Sequence, residues 1–119
     1  SSKQDRAVDQ RNAEWMQQKY KLDDQHNQVA AEVVQARTDY QRGGEQVRLF
    51  RQEILPQARQ TVEAMLAGYQ VGNIDFLSMI RSQTILFDHE TQYWKALSTT
   101  NQALARLVAA VGAEEKIYE

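Results

Sequence analysis

The sequence predicts an all-α fold, a long antiparallel helical hairpin with coiled-coil-like packing. Apolar and small residues recur at alternating steps of four and three, the chain contains one proline and five glycines, and one turn signal divides two helical stretches. We expect helix 1 over about 3–70, a tip at 71–74 and helix 2 over about 75–111, in a single domain spanning 1–119. Residues 1–2 are interpreted as a cloning remnant and 113–119 as a tail.

Helix 1 is predicted from a heptad seam that lasts for more than four repeats. Near Pro56 the register of the seam shifts, because the proline removes a backbone donor and can kink the rod. The pair Gly43-Gly44 is an alternative break point, and a break at 43–44 would give a three-helix bundle. The seam runs through Gly43 without interruption, which favours the continuous helix. Its residues are Leu22, His26, Val29, Val33, Ala36, Tyr40, Gly43, Val47, Phe50 and Ile54, and then Ala58, Val62, Met65 and Tyr69.

The turn between the helices is predicted from its capping residues. Gly72 stands where helix 1 stops, since glycine enters the left-handed conformation of a C-terminal cap at no steric cost. Asp75, rather than Asn73, stands where helix 2 starts and can accept hydrogen bonds from free backbone N–H groups. Ile74 and Met79 have the spacing of a hydrophobic staple across that start. An apolar tip on a long polar rod indicates a docking surface.

Helix 2 is predicted to end at Val111, stopped by Gly112, and it carries two seams. Two seams indicate helical neighbours on two sides, whereas a two-helix coiled coil needs only one. The first seam is Leu86, Glu90, Tyr93, Leu97, Thr100, Leu104, Leu107 and Val111. The second, more polar seam is Ile80, Thr84, Phe87, Thr91, Trp94, Ser98, Asn101, Ala105 and Val108.

The two predicted helices differ in length. At 1.5 Å per residue helix 1 is roughly 100 Å long and helix 2 about 55 Å. Folding the chain about Gly72 places Val111 opposite roughly Val33, so the residues before about Glu32 have no partner within the chain. That segment nevertheless carries large apolar side chains, namely Val8, Trp15, Met16, Tyr20 and Leu22.

Composition narrows the classes of function. The net charge is −2 with both signs interspersed, which argues against nucleic acid as a partner. There is no cysteine, and no apolar run approaches the roughly 20 residues of a membrane span. His26 and His89 lie on different predicted helices and far apart along the hairpin. We therefore expect no metal site, no cofactor and no enzymatic activity.

Five ordered segments resemble the TolC family of outer-membrane efflux proteins. Each segment alone is a weak signal of the family, but the five segments in this order and at these spacings are a specific one. The resemblance covers roughly residues 6–112 and matches the periplasmic helical hairpin of the family's second repeat, nearest to the RND-associated, heavy-metal branch. The segments are Ile54-Leu55-Pro56-Gln57-Ala58, Ala67-Gly68-Tyr69-Gln70-Val71-Gly72, Phe76-Leu77, Tyr93-Trp94-Lys95-Ala96-Leu97 and Leu107-Val108-Ala109-Ala110-Val111-Gly112.

The resemblance implies a role in transport. Family members are trimers whose twelve helices form a periplasmic α-barrel under an outer-membrane β-barrel. Their hairpin tips meet a periplasmic adaptor, also called a membrane fusion protein, which links the duct to an inner-membrane pump. The chain is thus expected to be the periplasmic part of a Gram-negative outer-membrane protein in a tripartite pump, and the isolated fragment is expected to self-associate, for example as a dimer. The exported substrate, metal ion or drug, stays open.

The resemblance also implies site residues. The adaptor-docking tip is Tyr69, Val71, Gly72, Asn73, Ile74 and Asp75. The entrance or gate candidates are Tyr69, Ser78 and Arg81. Tyr69 matches a tyrosine that helps hold the entrance closed, but Ile74 stands at the position of a gate arginine. Ser78 and Arg81 stand at the positions of two aspartates that form acidic rings.

A second hypothesis belongs to another class of protein. The chain would be a cytosolic coiled-coil scaffold that dimerises through the Leu22–Ile54 seam. An efflux gene would add a signal peptide, alternating β-strands and a second copy of the hairpin pattern, whereas a scaffold gene would encode little more than this chain.

Overall fold

The computed structural model describes residues 1–118, which form one antiparallel helical hairpin. Helix α1 spans Ser2–Leu49, a π turn spans Phe50–Ile54, helix α2 spans Leu55–Gln70, and helix α3 spans Phe76–Tyr118. The rod measures 103 × 24 × 13 Å. No strand occurs within residues 1–118. The all-α hairpin and its length are therefore as predicted.

The first rod is continuous through Gly43-Gly44, so the three-helix bundle is wrong. Gly43 lies against Thr100 of α3, and a Cβ atom built on Gly43 would be 3.1 Å from the Thr100 Cβ atom and closer still to its hydroxyl. A Cβ atom on Gly44 would meet nothing within 4 Å. Gly43 thus lets the two helices approach closely and does not break the rod.

The two rods face each other in a constant register. His26 faces Tyr118, Arg51 faces Tyr93, and Gly43 faces Thr100, so the residue numbers of facing residues add to 143 or 144. This is the register that places Val111 opposite Val33. The best-packed cluster lies at mid-length and consists of buried Val47, Phe50 and Ala96 with the half-buried Ile54, Tyr93 and Leu97 around them.

Helix α3 contacts the first rod through small residues as much as through large ones. The first predicted seam is correct at Leu86, Tyr93, Thr100 and Leu107, but Leu104 and Val111 remain 39% exposed. Small side chains fill the alternate heptad positions and permit close helix contact. The most buried residues of α3 are Met79, Ser82, Ala96, Thr100, Ala103 and Ala110.

The predicted end of helix 2 at Val111 is wrong, because α3 continues through Gly112 to Tyr118. Residues 113–118 are accordingly helix and not tail; Glu119 lies outside the described residues. Glycine costs about 1 kcal/mol in a helix. Strong helix formers surround Gly112, and the Tyr118 ring packs edge-on against His26 at 5.0 Å between ring centroids.

Because α3 is longer than predicted, it covers the first rod as far as His26 and not only to about Glu32. Every residue from 1 to 25 is exposed. The apolar side chains of this segment include Trp15, which is 60% exposed, and Tyr20, which is 61% exposed. We call residues 2–25 the overhang.

Candidate docking tip

The first rod ends in a Schellman motif, which fixes the shape of the tip. Gly72 has φ +80°, the left-handed conformation predicted for it. The N–H of Asn73 donates to the Gly68 carbonyl at 2.8 Å, and the N–H of Gly72 donates to the Tyr69 carbonyl at 3.1 Å. These are the two hydrogen bonds that define the motif. Carbonyl groups at the helix end are thereby satisfied.

Gly68 also contributes to this turn, by leaving space for the Ile74 side chain, and the sequence alone assigned it no role. A Cβ atom on Gly68 would lie 2.6 Å from Cδ1 of Ile74. Ile74 therefore folds back over the last turn of α2, and its N–H donates to the Gly68 carbonyl at 3.2 Å. Ile74 is half-buried and belongs to the packing of the turn, while the proposed staple between it and the buried Met79 stays a prediction.

Asp75 caps the start of α3, as predicted. The backbone N–H of Ser78 donates to Oδ2 of Asp75 at 3.2 Å, and the Ser78 hydroxyl donates to Oδ1 at 2.6 Å. These bonds from Ser78, the hydroxyl first and the N–H second, hold the pKa of Asp75 below its ordinary value. The carboxylate is thus an anion at the positive end of the helix dipole.

Four apolar side chains project from the capped turn into solvent. Val71 is 71% exposed, Leu77 63%, Phe76 58% and Tyr69 41%. The rings of Tyr69 and Phe76 contact each other across the turn, with 5.8 Å between centroids and 58° between planes. Phe76 and Leu77 extend the surface beyond the predicted site residues. We call Tyr69, Val71, Phe76 and Leu77 the tip patch.

A groove of about 520 Å³ begins beside the tip patch and runs between the rods. Ile54, Ala58, Met65 and Ile85 supply apolar walls, and Ser78, Arg81 and His89 supply polar groups. The His89 Nδ1 atom is buried without a hydrogen-bond partner.

The structure separates the gate candidates by environment. Tyr69 lies on the outer surface of the tip, whereas Ser78 and Arg81 both line the groove. Ser78 is bonded to Asp75, and Arg81 lies close enough to that carboxylate to help lower its pKa. Asn73 is exposed next to Val71.

Two features are absent from residues 1–118. No group of three or more His, Asp or Glu side chains is arranged to hold a metal ion there. None of the described helices combines the length and apolarity needed to cross a membrane. His26 and His89 lie far apart along the rod, as the register predicts.

Comparison of the chain with protein-family models, with curated protein sequences and with solved structures returned no match.

Proposed function

We propose that this chain is a wall segment of an α-helical duct of the TolC type, which docks a periplasmic adaptor through its tip. The observation that carries the proposal is the tip patch, four exposed apolar side chains on a hydrogen-bonded turn at the end of a 103 Å rod. Exposed apolar clusters of this kind mark interaction sites. The proposal places the chain in the periplasm as part of an outer-membrane assembly with an inner-membrane pump.

The second seam of α3 supports a place among neighbouring helices. Phe87, Trp94 and Val108 are 67%, 63% and 65% exposed. Their spacings of 7 and 14 residues place them in one stripe along α3. Such a stripe is expected to be covered by another helix. In a duct wall every helix has a neighbour on each side, and this hairpin alone supplies only one.

The test is a charge placed in the tip patch. Val71→Asp should abolish binding of the purified adaptor encoded beside the gene, because an aspartate would have to be desolvated in an apolar contact. Val34→Asp is the matched control, since Val34 is 65% exposed on α1 and remote from the tip. Calorimetric titration should give wild-type affinity for the control only. Equal binding by both variants would overturn the docking role.

A second candidate function, a scaffold that dimerises, is favoured by the exposed apolar residues of the overhang. The two candidates predict different genes. Only the duct protein requires a signal peptide, β-strands and a second hairpin in the full reading frame.

A further inference from the structure

The first rod contains one residue more than a regular heptad helix would hold. Upstream of the π turn, the buried or half-buried residues include Gly43, Val47 and Phe50. Downstream they include Leu55, Ala58, Val62 and Met65, each one position later than the upstream heptad predicts. The π turn Phe50–Ile54 lies between these two registers, and the Leu55 N–H donates to the Phe50 carbonyl in the i to i+5 pattern.

Pro56 fixes this extra residue in place. It has no N–H to donate, and in a regular α-helix its ring would collide with the carbonyl of Gln52. The widened turn before it relieves that collision. A π turn elsewhere in the rod would leave Pro56 inside regular helix, so the excess residue is held at 50–54.

Helix α3 is regular at the level of the π turn. Thr91, which the register places opposite Glu53, donates from its hydroxyl to the Phe87 carbonyl at 3.0 Å, as Thr84 and Thr100 do to their own preceding turns at other levels. Beside it, Arg51 of the π turn donates to the Tyr93 hydroxyl at 3.0 Å, and its guanidinium carbon is 5.9 Å from the ring centroid. Arg51 thus connects the two rods at this level in addition to the core cluster.

The core cluster lies at the π turn itself, because Phe50 and Ile54 of the turn and Tyr93 opposite them pack with Val47 and Ala96. Grooves border this level on both sides, and the one toward the stem, beside Gly43 and Phe50, has a volume of about 340 Å³. On the tip side the groove of about 520 Å³ separates Ala58 and Met65 from Ile85. An ion pair there, Arg59 to Glu90, is 3.9 Å long and exposed, so it adds little.

We propose that the π turn and Pro56 form a hinge about which the tip half of the hairpin moves relative to the stem, with the Arg51–Tyr93 contact as its latch. The proposal concerns the chain itself and does not depend on the docking role. Motion at the tip would change the groove and the packing of Ile54 and Tyr93 at the edge of the core cluster.

The first test compares two deletions of exposed glutamines. Deleting Gln52 should convert the π turn to α-helix and leave both halves of the rod facing α3. Deleting Gln41, within regular helix, should rotate one half by about 100° relative to the other. We expect thermal unfolding to show a wild-type or higher melting temperature for the first variant and a large loss for the second. Failure of the Gln52 deletion to fold would overturn the assignment of an excess residue.

The second test measures motion directly with spin labels, which the absence of native cysteine makes specific. The pair Arg42→Cys with Gln60→Cys spans the π turn, and the control pair Gln28→Cys with Gln46→Cys has the same separation in regular helix. Electron–electron resonance should give a broader distance distribution for the first pair. Deletion of Gln52 should narrow it to the control width with little change in the mean distance, because a π turn takes up its extra residue by widening and not by lengthening the rod. Equal widths in the undeleted chain would overturn the hinge.

Discussion

At the scale of single residues, the tip depends on positions where one conformation or one hydrogen bond decides the structure. Glycine and aspartate at a turn can be interpreted from sequence, because each has a specific local function. The role of Gly68 could not be interpreted from sequence, because it depends on where Ile74 lies after the turn has formed. Gly112 was misinterpreted as a stop for a related reason: the helical surroundings outweighed the cost of one glycine.

Gly72 and Gly112 provide a matched pair of substitutions with opposite expected signs. A Cβ atom would meet nothing within 4 Å at either glycine, and only Gly72 has a positive φ. Gly72→Ala should lower the free energy of unfolding by about 1 kcal/mol, the cost of a left-handed alanine. Gly112→Ala should raise it by about 1 kcal/mol through helix propensity. Urea unfolding followed by circular dichroism measures both, and a stabilising Gly72→Ala would contradict the cap.

The capping carboxylate predicts a pH dependence. The folded-state pKa of Asp75 is lowered by its bonds from Ser78, so its contribution to stability is present above the unfolded pKa and is lost as the pH falls through the folded pKa. Stability should therefore decrease in acid below about pH 4.

The comparison variant for this effect is Asp75→Asn, which keeps a capping oxygen and does not titrate. Melting temperatures measured from pH 7 down to pH 2 should fall less steeply for the variant than for the wild type. The other carboxylates are common to both proteins and cancel in the difference. Parallel curves would show that the charge of Asp75 contributes nothing.

At the scale of helices, the heptad pattern predicted the first rod well and the second only in part. Apolar residues such as Val47 and Phe50 identify a buried seam directly. On α3 the inward positions Ala96, Ala103 and Ala110 are small, and alanine is common on every face of a helix. Sequence reasoning therefore followed the larger Leu104 and Val111, which lie toward the rim of the contact. The register shift at Pro56 was visible in the sequence, but the π turn that produces it was not.

Close approach of the two rods predicts different results at two adjacent glycines. Gly43→Ala introduces a Cβ atom against Thr100, and overpacking of about 1–3 kcal/mol should outweigh the gain in helix propensity of about 1 kcal/mol. Gly44→Ala, which meets no neighbour within 4 Å, should be stabilising. Adding Thr100→Ala to Gly43→Ala should restore part of the lost stability, because it removes the hydroxyl contact and leaves the Cβ atom of residue 100 at 3.1 Å. Chemical denaturation of the four proteins measures these effects, and a stabilising Gly43→Ala alone would contradict the close contact.

At the scale of the whole molecule, the hairpin is asymmetric: its first rod extends beyond the second by the length of the overhang. This asymmetry follows from sequence length and the position of the turn, and both were predicted. Its extent was overestimated because the last helical residues of α3 were assigned to a tail. The overhang and the second seam of α3 are the surfaces that the hairpin does not cover by itself.

Truncation of residues 1–25 tests whether the overhang contributes to the fold of the free chain. Its residues are all exposed, so removing them should leave the melting temperature nearly unchanged. The rod should shorten by about 36 Å, and the radius of gyration in small-angle scattering should fall well below the full chain's 27.9 Å. A melting temperature that drops on truncation, and that depends on concentration in the full chain, would show that a second copy covers the overhang. Both hypotheses predict such pairing, because an isolated duct segment also gains free energy by covering its exposed apolar side chains. The full reading frame therefore distinguishes the scaffold from the duct, and the truncation tests only whether the overhang forms the contact between copies.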